Sequence, residues 1–168
     1  MGPEFPTAMI DEFLKLDNQI CFPVYAVSRL ITREYQPFLN ELGVTYPQYL
    51  VLLILWEQDH LTVNTIKEKL ILNTNTVTPL LKRMESLQLI KRQRSEDDER
   101  KVIISLTEQG KNLKAQALTI PTRLAAGLSA SELQVDDLID LKNRLHQLLD
   151  FLVRKNNSPE EPLPAVTL

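Results

Sequence analysis

The stretch that most limits what this chain can fold into runs from Leu61 to Leu106. LTVNTIKEKLIL (Leu61 to Leu72) and NTVTPLLKRMESLQLI (Asn75 to Ile90) each space apolar residues at helical intervals, with the polar pair Asn73-Thr74 between them. The β-like runs LIKRQR (Leu89 to Arg94) and KVIISL (Lys101 to Leu106) follow, separated by the charged turn SEDDER (Ser95 to Arg100). Alternation on either side of a polar turn predicts a hairpin. The stretch therefore reads as helix, tight turn, helix, two-stranded ribbon.

That order is the winged helix-turn-helix arrangement, and its charge can be checked against the chemistry of such a unit. Leu61 to Lys101 carries nine Lys/Arg and six Asp/Glu, a balance of +3, so the remainder of this −3 chain carries −6. Any nucleic-acid surface must then be local. Four of the six acids lie in the hairpin turn, which leaves the second helix and the strands more basic still. A recognition helix needs short polar side chains at its start to reach base edges, and cations further along for phosphates. Thr74, Asn75, Thr76 and Thr78 supply the first, Lys82 and Arg83 the second, and Pro79 lies between them. At the hairpin tip Arg100 is placed to enter a narrow minor groove, where negative potential is enhanced, with Asp98 two residues earlier to orient it. Arg94 and Lys101 flank the turn and complete the candidate DNA-facing set. The second helix alone reads equally well as a solvated helix with ordinary caps. The hairpin behind it tips the reading to DNA.

Elsewhere the chain reads as helix. Asp17 is the expected N-cap of a long helix reaching about Leu42, where Gly43 breaks it. Pro47 suits the first turn of a second helix, whose run YLVLLILW (Tyr49 to Trp56) is apolar nearly all round and hence buried. Thr107 caps another helix, and Ser129 with Glu132 has capping-box spacing before a last long one. There Leu138, Leu141, Leu145, Leu148 and Leu152 form a 3-4-3-4 seam for a partner helix. Residues 1–9, MGPEFPTAM, look like an expression remnant, and 156–168, with three prolines, read as a disordered tail. There is one cysteine, no apolar run of about 18 residues and no signal-peptide pattern, so a cytoplasmic protein without membrane spans is expected. His60 and His146 stand apart from other ligand types, no Ser-His-Asp set or phosphate loop appears, and no metal, cofactor or enzyme activity is expected.

TVTPLLKRMESLQLI followed by RSEDDERKVIISLTEQGK resembles the winged-helix core of the MarR family of transcriptional regulators. LDNQICFPVYAVSR, YQPFL and GVTYPQYLVLLILWE extend the likeness to the organic hydroperoxide resistance regulators, a thiol-based branch, over roughly Leu14 to Ile120. The resemblance implies a mainly α fold with a small β-hairpin wing, forming an interlocked homodimer. It implies a single domain over 10–155, with dimerisation helices about 10–46 and 108–155 around a winged helix-turn-helix of about 47–107. It also implies a pseudo-palindromic double-stranded DNA operator, an organic hydroperoxide as inducer, a reactive cysteine at Cys21, and tyrosine partners Tyr25, Tyr35 and Tyr46.

Cys21 and Tyr25 are i and i+4, on one face of a helix. Tyr35, fourteen residues on, lies about 21 Å along a continuous helix and cannot touch its own chain's sulfur by that route. The interlocked dimer that the resemblance implies would bring it to the cysteine of a partner whose helix runs antiparallel. Tyrosine hydroxyls donating to sulfur, and a helix N-terminus, favour thiolate over thiol, and the thiolate is what attacks peroxide. The plain alternative is an inert, buried cysteine. Three departures from the family pattern stand out: Pro23 just after the cysteine, Asn75 where glycine or alanine is usual, and Leu128 near the place of a resolving cysteine. A one-cysteine sensor follows, whose sulfenic acid persists, cyclises, over-oxidises or condenses with a small-molecule thiol. Two rivals remain: a repressor released by a reversibly bound phenolic or aromatic ligand, and a one-cysteine thiol peroxidase.

Overall fold

The computed structural model describes residues 12–128 and 134–157. A 3-10 turn, Leu16–Asn18, precedes helix α1, Cys21–Leu42. Asp17 therefore lies inside the turn instead of capping the helix, which starts three residues later than expected. Proline gives the reason. Pro23 becomes the third helical residue, where a backbone N–H would have no intrahelical partner to lose. Gly43 ends α1 at φ +69°, and the Val44 N–H returns to the Leu39 carbonyl at 3.0 Å. Helix α2, Tyr46–Glu57, starts where the Thr45 N–H donates to Gln48 Oε1 at 2.8 Å, with Pro47 as its second residue.

The expected helix from Leu61 is in fact a strand and then a helix. Leu61–Thr62 forms β1, and α3 is Val63–Leu70. Thr62 is both a strand residue and the α3 cap, accepting from the Thr65 N–H at 3.0 Å. Two residues are too few to show a period of two, which is why the pattern concealed the strand. Helix α4, Thr74–Ser86, leads to β2, Ile90–Arg94, and β3, Val102–Leu106. The expected two-stranded ribbon is thus one part of an antiparallel three-stranded sheet, ordered β1-β3-β2. Its registers run Ile90↔Leu106 to Arg94↔Val102 on one side of β3 and Leu61↔Ile104 on the other. Helix α4 stops at Ser86 because Gln88 takes φ +58° and the Leu89 N–H returns to the Met84 carbonyl.

Helices α5, Glu108–Ala117, α6, Ile120–Leu128, and α7, Val135–Asn157, complete the described chain. Thr107 caps α5 as expected, accepting from the Gly110 N–H at 3.0 Å. Ser129 and Glu132 lie outside the described residues; just before α7 the Gln134 N–H donates to Asp137 Oδ2 at 2.9 Å. Helix α7 continues to Asn157, two residues into the expected tail, and 158–168 lie outside the described residues.

The chain divides into two compact units, Leu30–Leu124 and the segments Met1–Arg29 with Ala125–Leu168. The first contains the core. Leu39, Leu52, Leu55, Ile66, Val77, Leu81, Met84, Ile104 and Ile120 are buried there. The described part of the second is helical, and apolar side chains of α7 and of the start of α1 stand exposed. Among the described residues no single helix is long and apolar enough to cross a membrane.

Candidate DNA interface and sensor site

The DNA-facing candidates fall on two elements. Asn73 caps α4, its Oδ1 accepting from the Thr76 N–H at 3.0 Å and from the Thr76 hydroxyl at 2.9 Å. Thr76 therefore presents acceptor lone pairs outward, while Thr74 and Asn75 are exposed and Thr78 is half-buried. Pro79 lies inside α4 and has no N–H for the Asn75 carbonyl, which leaves that acceptor open to an outside donor. Lys82 and Arg83 are exposed further along the helix, suited to phosphate contact. Sequence reasoning passed over Arg92. Its Nη1 lies 3.3 Å from Glu85 Oε2 and ties β2 to the last turn of α4, while its buried Nε has no partner.

The wing tip is built around Asp98. Its Oδ1 accepts from the Arg100 backbone N–H at 3.1 Å and from Arg100 Nε at 3.2 Å, and Lys101 Nζ stands 3.5 Å from Oδ2. The Lys101 N–H returns to the Asp98 carbonyl at 2.8 Å and the Ser95 N–H to the Lys101 carbonyl at 2.9 Å, closing the loop. The Arg100 side chain is 93% exposed although its root is fixed. Hydrogen bonds from the Arg100 backbone and side chain, with Lys101 adding to them, hold the Asp98 carboxyl below the usual carboxylate range. Arg94, at the end of β2, is exposed too.

The sensor candidates divide between the two units. Cys21 is the first residue of α1 and is exposed. Tyr25 shares its face one turn on. The Tyr25 hydroxyl accepts from Arg29 Nη1 at 3.4 Å, and the guanidinium lies 5.5 Å from the ring centroid. Tyr35 and Tyr46 come together in the other unit, ring centroids 5.1 Å apart. Tyr49, which the sequence reading did not single out, stands 5.9 Å from Tyr35. Its place three residues after Tyr46, on the same helix face, was the available signal. Burial raises all three phenols, and the Tyr35 and Tyr49 hydroxyls are raised further by their neighbours. They stay protonated and keep donors to offer. Among the described residues no cluster of three His, Cys, Asp or Glu is arranged to hold a metal ion.

Comparison with known proteins places the chain among transcriptional regulators. The family described as "Transcriptional regulator SarA/Rot" matches residues 33–117. The chain is 50% identical over 145 residues to the organic hydroperoxide resistance transcriptional regulator of Bacillus subtilis, covering 86% of this chain and 97% of that one. Reduced AbfR bound to DNA is 38% identical, with a TM-score of 0.70, covering 86% of this chain and 99% of that one. AbfR of Staphylococcus epidermidis is also 38% identical, with a TM-score of 0.69, covering 88% and 99%. This chain belongs to the MarR family of transcriptional regulators, in its organic hydroperoxide resistance branch.

Proposed function

We propose that this protein is a dimeric transcriptional repressor that senses organic hydroperoxides through Cys21 and then leaves its operator. The observation that carries the DNA half is the braced wing: Asp98 holds Arg100 through its backbone N–H and Nε while the side chain stays 93% exposed, beside a capped helix with a polar, open start. Acids in a DNA-facing loop are otherwise unfavourable near phosphates, and a bracing role accounts for this one. Thr74, Asn75, Thr76, Thr78 and Pro79 sit at base edges, and Lys82, Arg83, Arg94 and Lys101 at phosphates.

The redox half follows from placement. Cys21 at the first residue of α1 meets the positive end of the helix dipole, and Tyr25 lies on its face. Tyr35 and Tyr46 are too far along the chain to serve their own cysteine, and they serve the partner's. The Cys21 thiolate attacks one peroxide oxygen and the O–O bond breaks. The terminal OH passes to sulfur as a sulfenic acid, and the departing alkoxide takes a proton from water and leaves as the alcohol. Added bulk and lost donor contacts displace the tyrosines. The two recognition helices, set about one DNA turn apart on a pseudo-palindrome, then lose that spacing. A difference of about 3 kcal/mol between the states lowers operator affinity more than a hundredfold. The chain acts as a regulator, with peroxide as signal and not as a turnover substrate.

Operator binding by wild type and Cys21→Ser, with and without cumene hydroperoxide, tests the reading. Wild type should be released and the serine variant should stay bound. Equal release of both would remove the thiol from the mechanism, and multiple peroxides consumed per protein in the presence of reductant would favour the peroxidase.

A further inference from the structure

Helix α2 is fastened at both ends, and its two ends face different tasks. Its first residue is Tyr46, with Tyr49 one turn on, both against Tyr35. Tyr49 in turn meets Trp56 edge-on, with ring centroids 6.2 Å apart. The far end is held by three hydrogen bonds to the junction of β3 and α5. Trp56 Nε1–H donates to the Gly110 carbonyl at 2.9 Å, Lys114 Nζ donates to the Trp56 carbonyl at 3.1 Å, and the Leu106 N–H donates to Asp59 Oδ1 at 2.9 Å.

That junction has no slack. A Cβ at Gly110 would lie 2.1 Å from the Leu89 carbonyl oxygen, so α5 presses backbone to backbone on the segment joining α4 to β2. The Thr107 hydroxyl accepts from the Gly110 N–H and lies 2.5 Å from the Gln88 carbonyl oxygen. A continuous series of contacts thus leads from the tyrosines to the point where the recognition helix becomes the wing, all within Leu30–Leu124.

We propose that Tyr49 and Trp56 are positioning residues that pass the state of the Tyr35–Tyr46 pair to the α4–β2 junction. The inference rests on the sensor reading above, for which it names the route. A 12-residue helix about 18 Å long moves as a rod, and close-packed rings cannot shift one at a time. Displacing the tyrosines therefore levers the far end, where the Trp56 N–H and the tight Gly110 contact transfer the motion instead of absorbing it. Coupling of this kind needs an element whose arrangement both sites bias, and α2 is the element that touches both.

Trp56 is the single tryptophan of the chain, so its emission reports the relay directly. With wild type on operator DNA, hydroperoxide should change Trp56 emission at the rate of DNA release, and Cys21→Ser should show neither event. Trp56→Phe keeps a ring in the core and removes only the donor. It should bind DNA in the reduced state within about twofold of wild type, yet lose about fivefold to tenfold of the hydroperoxide-driven drop in affinity, the worth of one hydrogen bond. Tyr49→Leu should blunt release in the same direction. If wild type leaves DNA with silent emission, or Trp56→Phe is released as fully as wild type, the relay is wrong and the sensor reading stands. A wild type that stays on DNA under hydroperoxide removes both. If Trp56→Phe fails to fold by circular dichroism, the wild-type emission still decides.

Discussion

Leu30–Leu124 and the described residues on either side of it are built from the same apolar residue types and treat them in opposite ways. Inside the unit, Leu52, Leu55, Leu81 and Ile104 are at most 1% exposed. On α7, Leu141, Leu145, Leu148 and Leu152 are 41–45% exposed, and Phe22, Val24 and Val27 near the start of α1 are comparably open. A leucine in the first region has its partners in its own chain. A leucine in the second does not, and an apolar stripe of that length is costly to leave in water. The winged unit has a buried core of its own, whereas the flanking helices leave their apolar stripes open, which is the physical basis for proposing a dimer.

The comparison predicts its own largest effect. Leu52→Ala should cost about 3–5 kcal/mol, read from urea unfolding, because the buried site cannot collapse around the cavity. If the loss were below about 1 kcal/mol, the unit's core would be looser than its burial states. Replacing Leu145 and Leu148 together by Asp should instead spare the winged unit's circular dichroism and weaken the dimer at least about a hundredfold, roughly 2.7 kcal/mol, in sedimentation. A double variant that remains dimeric at micromolar concentration would place the second chain elsewhere. Arg100→Ala should weaken DNA binding by about tenfold on every sequence, with a shallower salt dependence, if the wing makes the proposed charge contact with the backbone and minor groove.

Asn73→Ala should lower stability by about 1 kcal/mol through the lost cap of α4, a shift readable in thermal unfolding. The smallest effect is electrostatic. Asp98 has a lowered pKa in the fold, so its brace is fully present above the ordinary carboxylate range and is lost as pH falls through the lowered value. The Arg100 amide resonance should follow the Asp98 carboxyl in an acid titration, and Arg100→Ala should move that midpoint upward. An Arg100 amide that ignores Asp98 would remove the brace.

Local signals were legible where one residue decides a local geometry. Thr107, Gly43 and Pro47 each marked a helix end correctly, because caps, left-handed turns and first-turn prolines need no distant partner. Asp17 misled, since several oxygens compete near a helix start and the later Pro23 fitted the helix that begins at Cys21. The β1 strand was invisible. Leu61–Thr62 is extended only because β3 lies beside it. Tyr49 and Trp56 passed as core residues because their meaning depends on what stands at each end of α2.

The sequence by itself determined the helix-turn-helix-hairpin order of the winged segment, the placement of cations and short polar residues on the helix and wing, and the single thiol near the start of a helix. These follow from periodicity, capping and charge, which act over a few residues. Only the tertiary structure decided that three strands form the sheet, that Asp98 holds Arg100 while leaving its side chain exposed, and that Tyr35, Tyr46, Tyr49 and Trp56 make one aromatic series ending on Gly110. Residues 54 positions apart in the chain meet there because burial of the core brings α2 onto α5, and no local pattern encodes a contact that packing alone creates.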